Sequence, residues 1–319
     1  MAHSNIQLGF YFFGKMIRMV EARKDADTIQ VLNVVEKSID TPLDFYSIQN
    51  QDLVPLFANY LTGLMNDATI QSRRAGFALE RRMAIVKRLV VDQGMDETEL
   101  RRHIEWELEQ LLISSRDEYN VGYEVLAGLQ KDFMSVVVVA VRRPIVDYIK
   151  NIFSQTPLEL RRVEVDMFAM TRGIVGHFGQ KPKGLVVLID LNERGMDFTL
   201  CEDGVYIISS EIPALQSTNL KSAYLTSNVD ETAAMMNEEI TRLSTVIENE
   251  KTDSIINSIL LSGEKANPEL VNCLQNYQKY AKIEFANPFR HVQRRLSLTA
   301  ETLVTTKADK FLVNVGLIS

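Results

Sequence analysis

Cysteine is scarce in this 319-residue sequence: Cys201 and Cys273 stand far apart, without metal-type spacing. That excludes a disulfide-stapled fold and a cysteine-rich zinc module, and it suits a reducing compartment with two inert thiols. Histidine is nearly as rare. His3, His103, His177 and His291 show no ligand spacing, so a metal centre is not expected. Long apolar runs are missing too. The most apolar stretch, Phe133 to Val141, falls far short of the roughly 20 residues that a spanning helix needs. The N-terminus, Met-Ala-His-Ser-Asn, lacks a basic region followed by an apolar one, so neither a signal peptide nor direct membrane insertion is expected. Positive charge is not in excess: 35 Lys and Arg face 42 Asp and Glu, a formal net charge of −7. Phosphate backbones are held mainly by surplus Lys and Arg, so nucleic acid is not an expected partner. No Gly-x-Ser-x-Gly elbow, Cys-x-x-Cys pair or Walker-type loop is present.

What remains is an ordinary globular mixture, 46% hydrophobic and 24% charged, long enough for two lobes. Its periods alternate between strand and helix. Ile6 to Glu21 reads as a strand, a tight turn at Gly14 and a second strand; Thr28 to Val35 adds a third, giving an antiparallel meander. A helix is predicted over Asp52 to Asn66, with Leu53, Leu56, Phe57, Tyr60, Leu61 and Leu64 on one stripe. Two strands follow, Gly76 to Leu79 and Met83 to Val91. Asp96 and Glu99 have capping-box spacing ahead of a helix whose apolar face is Leu100, Ile104, Leu108, Leu111 and Leu112. Val121 to Leu126 and the β-branched run in Phe133 to Val141 close a β-helix-β-β unit. A helix then opens at Pro144.

The second half repeats the opening. Gly184 to Asp190 is a strand ending in an acid, and Met196 to Cys201 and Val205 to Ile212 form a hairpin at Asp203-Gly204. A polar stretch, Gln216 to Asn228, reads as a loop. A helix over Asp230 to Glu250 carries Met235, Ile240, Leu243, Val246 and Ile247; a strand over Ile255 to Leu261 and another over Lys282 to Phe285 follow. The apolar end, Phe311 to Ile318, reads as a core helix. Two strand-turn-strand openings suggest a duplicated fold with a cleft between the halves.

These pieces resemble the PilM family of type IV pilus assembly proteins, which shares the actin-like ATPase fold with the division protein FtsA. The resemblance runs from Leu8-Gly9 and Ile17 to Glu21 through Ile85-Val86-Lys87, Ile104-Glu105-Trp106-Glu107, Val138 to Pro144 and Val163 to Ala169. It continues through Ile189-Asp190, Ile259 to Gly263 and Ala286-Asn287-Pro288-Phe289, in the family's order. It implies an α/β, actin-like (ribonuclease H-like) two-lobed fold with an inserted small β-α-β-β subdomain. The implied domains are a first lobe over residues 1–72, the insert over 73–153, a return to the first lobe over 154–180, a second lobe over 181–300, and a C-terminal segment, 301–319, closing on the first lobe.

In such folds two glycine-rich turns cradle the nucleotide phosphates, and strand-end aspartates hold Mg²⁺. The family's first turn places an acid where this chain has Tyr11 and a glycine where it has Phe13, leaving Gly14 and Lys15. The second keeps Asp190 but has Asn192 for glycine, followed by Glu193 and Arg194; the adenosine-side turn is Gly263-Glu264-Lys265. The expected nucleotide positions, Gly14, Lys15, Asp190, Asn192 and Gly263, therefore read as vestigial, with no catalytic residue and no cofactor expected. Asp190 alone reads as a strand-end acid capping local N–H groups. Trp106, off the apolar stripe and flanked by Glu105 and Glu107, either packs on the edge of its own subdomain or joins a partner groove.

The resemblance implies a cytoplasmic scaffold recruited to the inner face of the inner membrane. Its partner would be the N-terminal tail of a PilN-like inner-membrane protein, held between insert and first lobe, alongside other pilus platform proteins. Two readings stay beside it. One is a functioning actin-like ATPase of pilus or type II secretion assembly, binding ATP and Mg²⁺ through Lys15 and Asp190. The other is an FtsA-like filament-forming cytoskeletal protein.

Overall fold

The computed structural model describes residues 5–25, 28–68, 70–126, 133–214, 228–248 and 255–319. The β-branched and aromatic side chains of the first forty residues form three strands, β1 (Ile6–Phe13), β2 (Met16–Asp25) and β3 (Thr28–Ser38). They pair antiparallel in sequence order, as the meander reading expects. Helix α1 (Val54–Asp67) starts two residues later than expected, because Asn50 caps a short 3₁₀ turn, Gln51–Leu53, ahead of it. Strand β4 (Arg74–Leu79) then joins β1 in parallel.

The inserted unit begins with β5 (Ala84–Asp92) and α2 (Glu97–Glu109) and returns through β6 (Tyr119–Leu126) and β7 (Phe133–Arg142). The capping box forms: Asp96 Oδ1 accepts from the N–H groups of Thr98 and Glu99, at 2.7 and 2.9 Å, and Glu99 Oε2 accepts from Asp96 N. Leu100, Ile104 and Leu108 are buried on the sheet. The helix ends at Glu109, however, so Leu111 and Leu112 lie beyond it and Leu111 is exposed. In the three-stranded sheet, ordered β5-β7-β6, the valine-rich β7 is central.

After β7 come α3 (Arg143–Ser154) and β8 (Glu159–Val165), which pairs in parallel with β4. Helix α4 (Asp166–Phe178) leads to a second sheet: β9 (Leu185–Asn192), β10 (Gly195–Glu202) and β11 (Val205–Pro213). The turn joining β10 to β11 has φ of 50° at Asp203 and 74° at Gly204, the left-handed pair of a type I′ hairpin. Helix α5 (Val229–Glu248) buries Ala233, Met236, Ile240, Leu243 and Ile247; Met236, not Met235, continues the stripe. Residues 215–227 and 249–254, which hold nearly all of the expected Gln216 to Asn228 loop and the expected end of that helix, lie outside the described residues. β12 (Ile256–Ser262), α6 (Pro268–Tyr277), β13 (Lys282–Phe285), β14 (Gln293–Arg294), α7 (Leu298–Thr306) and α8 (Leu312–Gly316) complete the chain.

The strand orders display the duplication. The six-stranded sheet reads β14-β3-β2-β1-β4-β8 and the five-stranded sheet β11-β10-β9-β12-β13. In each, an antiparallel meander is extended from its first strand by two parallel strands.

The chain divides into two compact units: Met1–Asp166 with Arg294–Glu301 and Ile318, and Met167–Gln293 with Thr302–Leu317 and Ser319. The boundaries differ from those read in the sequence. Met167 onward, and the C-terminal segment from Thr302 to Leu317, fall in unit 2 and not with the first lobe. Backbone contact within unit 2 accounts for this: Gly173 of α4 presses on the carbonyl of Leu312, and Gly316 on that of Ala169.

Candidate functional site

In unit 1, the segment expected to hold phosphate is a two-residue hairpin. Phe13 pairs with Met16, and Gly14 and Lys15 make the turn, with Gly14 at φ 53°. Lys15 is exposed, and its carbonyl accepts the N–H of Ile39 at 2.8 Å. Tyr11, where the family's acid would stand, is buried, and its hydroxyl donates to Asp166 Oδ2 at 2.8 Å. The half-buried Phe13 ring leans on it, with centroids 6.1 Å apart.

In unit 2, Asp190, Asn192 and Gly263 do come together. Asp190 Oδ1 accepts the Ser262 hydroxyl at 2.9 Å, and its Oδ2 accepts the Asn192 amide at 3.0 Å. Asn192 is buried; the same amide nitrogen lies 3.4 Å from Asp197 Oδ2, and Asn192 Oδ1 accepts the N–H of Arg194 at 2.8 Å. The Asn192 side chain thus organises the turn between β9 and β10. Gly263 has φ of 96°, and a Cβ there would sit 2.2 Å from the Leu191 carbonyl oxygen and 2.7 Å from Asp190 Oδ1, so no other residue fits. The Lys310 ammonium donates to the Gly263 carbonyl and pairs with Asp309. Burial pushes the Asp309 carboxyl up, against the pull of Lys310. Glu264 is exposed, as solvation of a charge demands.

Asp166, Ser262, Asp197 and Lys310 were not candidates in the sequence. Only the Ser262-Gly263 strand end gave a local signal; Tyr11 and Asp166 are 155 residues apart.

The Asn287-Pro288-Phe289 stretch has a definite partner. His177, fully buried on α4, accepts the N–H of Asn287 at Nδ1 (3.0 Å), which places its proton on Nε2, 3.0 Å from Glu284 Oε1. Arg290 lies 3.2 Å from Nε2 and donates to Glu284 Oε2, and Lys282 pairs with Glu284 Oε1 at 2.7 Å. Burial, then the Arg290 charge, hold the imidazole below its ordinary pKa. Burial pushes Glu284 up, but hydrogen bonds from Arg290, Lys282 and His177 outweigh it and hold the carboxyl at about 2. A histidine kept neutral by the fold contributes stability that is complete above its unfolded pKa of about 6.5 and is lost as pH falls below it. The urea midpoint of unit 2 is therefore expected to drop between pH 7.5 and 5.5, above the window in which Glu284 titrates. His177→Gln should flatten that drop, and an unchanged slope would remove His177 as its source.

Trp106 is 55% exposed on α2, with its ring 6.2 Å from that of His103. Among the described residues no group of His, Cys, Asp and Glu could hold a metal, and no helix is long and apolar enough to cross a membrane.

A family model for the type IV pilus assembly protein PilM matches residues 11–213. A solved PilM-PilN type IV pilus biogenesis complex superposes with a TM-score of 0.76 at 16% identity, over 98% of this chain and 97% of that one. A Bacteroides thetaiotaomicron protein with an actin-like ATPase fold and unknown function gives 0.48 at 13% identity, over 88% and 91%. The ethanolamine utilization protein EutJ from Carboxydothermus hydrogenoformans gives 0.46 at 10% identity, over 98% and 89%. A search of the curated proteins finds no match. The family model spans more than half of the sequence, and the α/β fold matches that of the solved PilM-PilN complex: this chain belongs to the PilM family of type IV pilus assembly proteins.

Proposed function

We propose that this chain is a cytoplasmic platform of type IV pilus assembly that holds the N-terminal tail of a PilN-like inner-membrane protein, and that it turns over no ATP. The observation that carries the reading is its likeness, along nearly its whole length, to a structure solved as a PilM-PilN complex. The partner, not this chain, provides attachment to the inner face of the inner membrane. A tail of this kind docks by burying alternate side chains and by backbone hydrogen bonding.

The groove we assign to the tail lies within unit 1, between the inserted sheet and the main core. Ala84, Val139 and Val141 anchor one face of that sheet in the core. Strand alternation puts Val90 and Phe133, 51% and 40% exposed, on the same face. Trp106 sits on α2, which covers the opposite face through Val136, Val138 and Ala140, so it is left out of the groove.

The residues do not fit Mg-ATP. A magnesium ion needs carboxylate oxygens turned toward it. Tyr11 offers a hydroxyl already bonded to Asp166, and both oxygens of Asp190 accept hydrogen bonds from Ser262 and Asn192. We therefore read Gly14, Lys15, Asp190, Asn192 and Gly263 as the remains of a nucleotide site.

The test is titration of a labelled PilN-like tail peptide by fluorescence anisotropy, with and without Mg-ATP. Equal affinity in both is expected, with Phe133→Asp weakening it by at least about tenfold, as for an apolar contact at an interface centre. Failure to bind in either condition would remove the platform reading, and binding only with Mg-ATP would restore a working nucleotide site.

A further inference from the structure

The other side of unit 1 carries a second surface. β8 ends its sheet, pairing with β4 on one side, and no strand among the described residues pairs with its other side. A cleft of about 500 Å³ runs between this strand and α3. Its floor includes Val146, Leu160 and Val163, half-buried against the main core, and its rim carries Lys150, Arg161 and Arg162. No residue of the inserted sheet lines it, and no carboxylate does.

Two features of the sequence build this cleft. The register slips between Ala75 and Gly76, which face Leu160 and Arg162, so Arg161 is the extra residue of a bulge. The bulge lets Leu160 and Val163, three apart, both face the core while Arg161 is turned out to solvent. The second feature is charge. The chain carries a net −7, yet this cleft gathers three cations and no acid. Each cation has a carboxylate neighbour outside the lining: Asp147 at 3.2 Å from Lys150, Glu159 at 2.5 Å from Arg161, and Glu164 at 4.0 Å from Arg162. Surface pairs of this kind are weak, and do not prevent a second carboxylate from joining them.

We infer that this cleft docks an extended peptide segment of a second protein in which apolar and acidic side chains alternate. Apolar side chains at strand spacing fill the floor, and the intervening carboxylates meet the basic rim. Because the bulge interrupts the strand edge at Arg161, side chains and not a long backbone ladder supply the contact. This surface is independent of the PilN-like tail and its groove.

The experiment is selection of a displayed library of random peptides on the immobilised full chain and on the Lys150→Glu/Arg161→Glu variant. The expected pool alternates apolar residues with Asp or Glu, and its capture falls by about tenfold or more on the variant, as for reversal of two rim charges. Both side chains are exposed, so the variant should keep its urea midpoint and its affinity for the PilN-like tail peptide. A pool without carboxylates, or equal capture by the variant, would overturn the assignment. So would charge-dependent retention of phosphatidylglycerol vesicles with no peptide enriched, which would make the rim a membrane contact.

Discussion

Replacing Tyr148 by alanine is expected to destabilise unit 1 by about 3–5 kcal/mol, the usual cost of truncating a fully buried aromatic. Tyr148 has no exposed surface. Its ring stands edge-on to that of Phe57 at 6.3 Å, and its hydroxyl donates to the Asn50 carbonyl at 3.1 Å. The ring forms part of an aromatic seam. Phe57 meets Phe12 at 6.1 Å, Phe12 meets Phe77 at 5.8 Å, and Phe77 meets Phe153 at 5.8 Å. A hole at Tyr148 would remove contacts from α1 and α3 together. Tyr148→Phe separates the two contributions, because it keeps the volume and removes one hydrogen bond, at a cost of about 1 kcal/mol. Trp106 is the chain's single tryptophan and lies in unit 1, so its fluorescence follows the urea transition. A cost below that of the phenylalanine variant would show that the site collapses without penalty, and that the seam is not the core. Burial also pushes the Tyr148 phenol up to about 12. The unfolded chain loses that proton first, so this contribution persists below pH 10 and fades as the pH rises toward 12.

Gly316→Ala should cost unit 2 about 3 kcal/mol or more, at the upper end of overpacking effects. A Cβ at Gly316 would lie 1.7 Å from the Ala169 carbonyl oxygen and 2.9 Å from the Gly173 nitrogen. These are backbone atoms of α4 and cannot rotate away, so helices α4 and α8 must separate. Separation would also release the 3.1 Å hydrogen bond from Arg172 to the Gly316 carbonyl. Gly122→Ala is the matched control: a Cβ there meets nothing within 4 Å. Its effect should be small, since the substitution mainly reduces the freedom of the unfolded chain. Circular dichroism in urea reads both variants. Similar midpoints for the two would mean that α8 is not held against α4 as described.

Short-range signals in the sequence served the fold well. The turn glycine Gly14, the Asp203-Gly204 pair, the Asp96–Glu99 box and Pro144 all mark elements that form where they are expected. At Leu111 and Leu112 the apolar period outruns α2, which ends at Glu109. The choice between Met235 and Met236 differs by one position on the helix, which only the packing partner decides. The candidate positions divide in the same way. Gly263 lies beside Asp190 because β9 and β12 pair in parallel with Ser262 facing Asp190, while Asn192 is two residues further along β9. The bond from Tyr11 to Asp166, the reach of Lys310 to Gly263 and the grip of His177 on Asn287 join residues more than forty positions apart. Contacts of that range leave no period or spacing to read.

Strand β7 has a consequence for how unit 1 opens. Val138 and Ala140 belong to the core under α2, while Val139 and Val141 belong to the core under α1 and α3. One strand is thus a party wall, with each neighbouring residue owed to a different room. Local opening normally proceeds in contiguous cooperative blocks. Here no block can peel the insert away without exposing the first lobe's interior, so the two share one melting event despite their separate sheets.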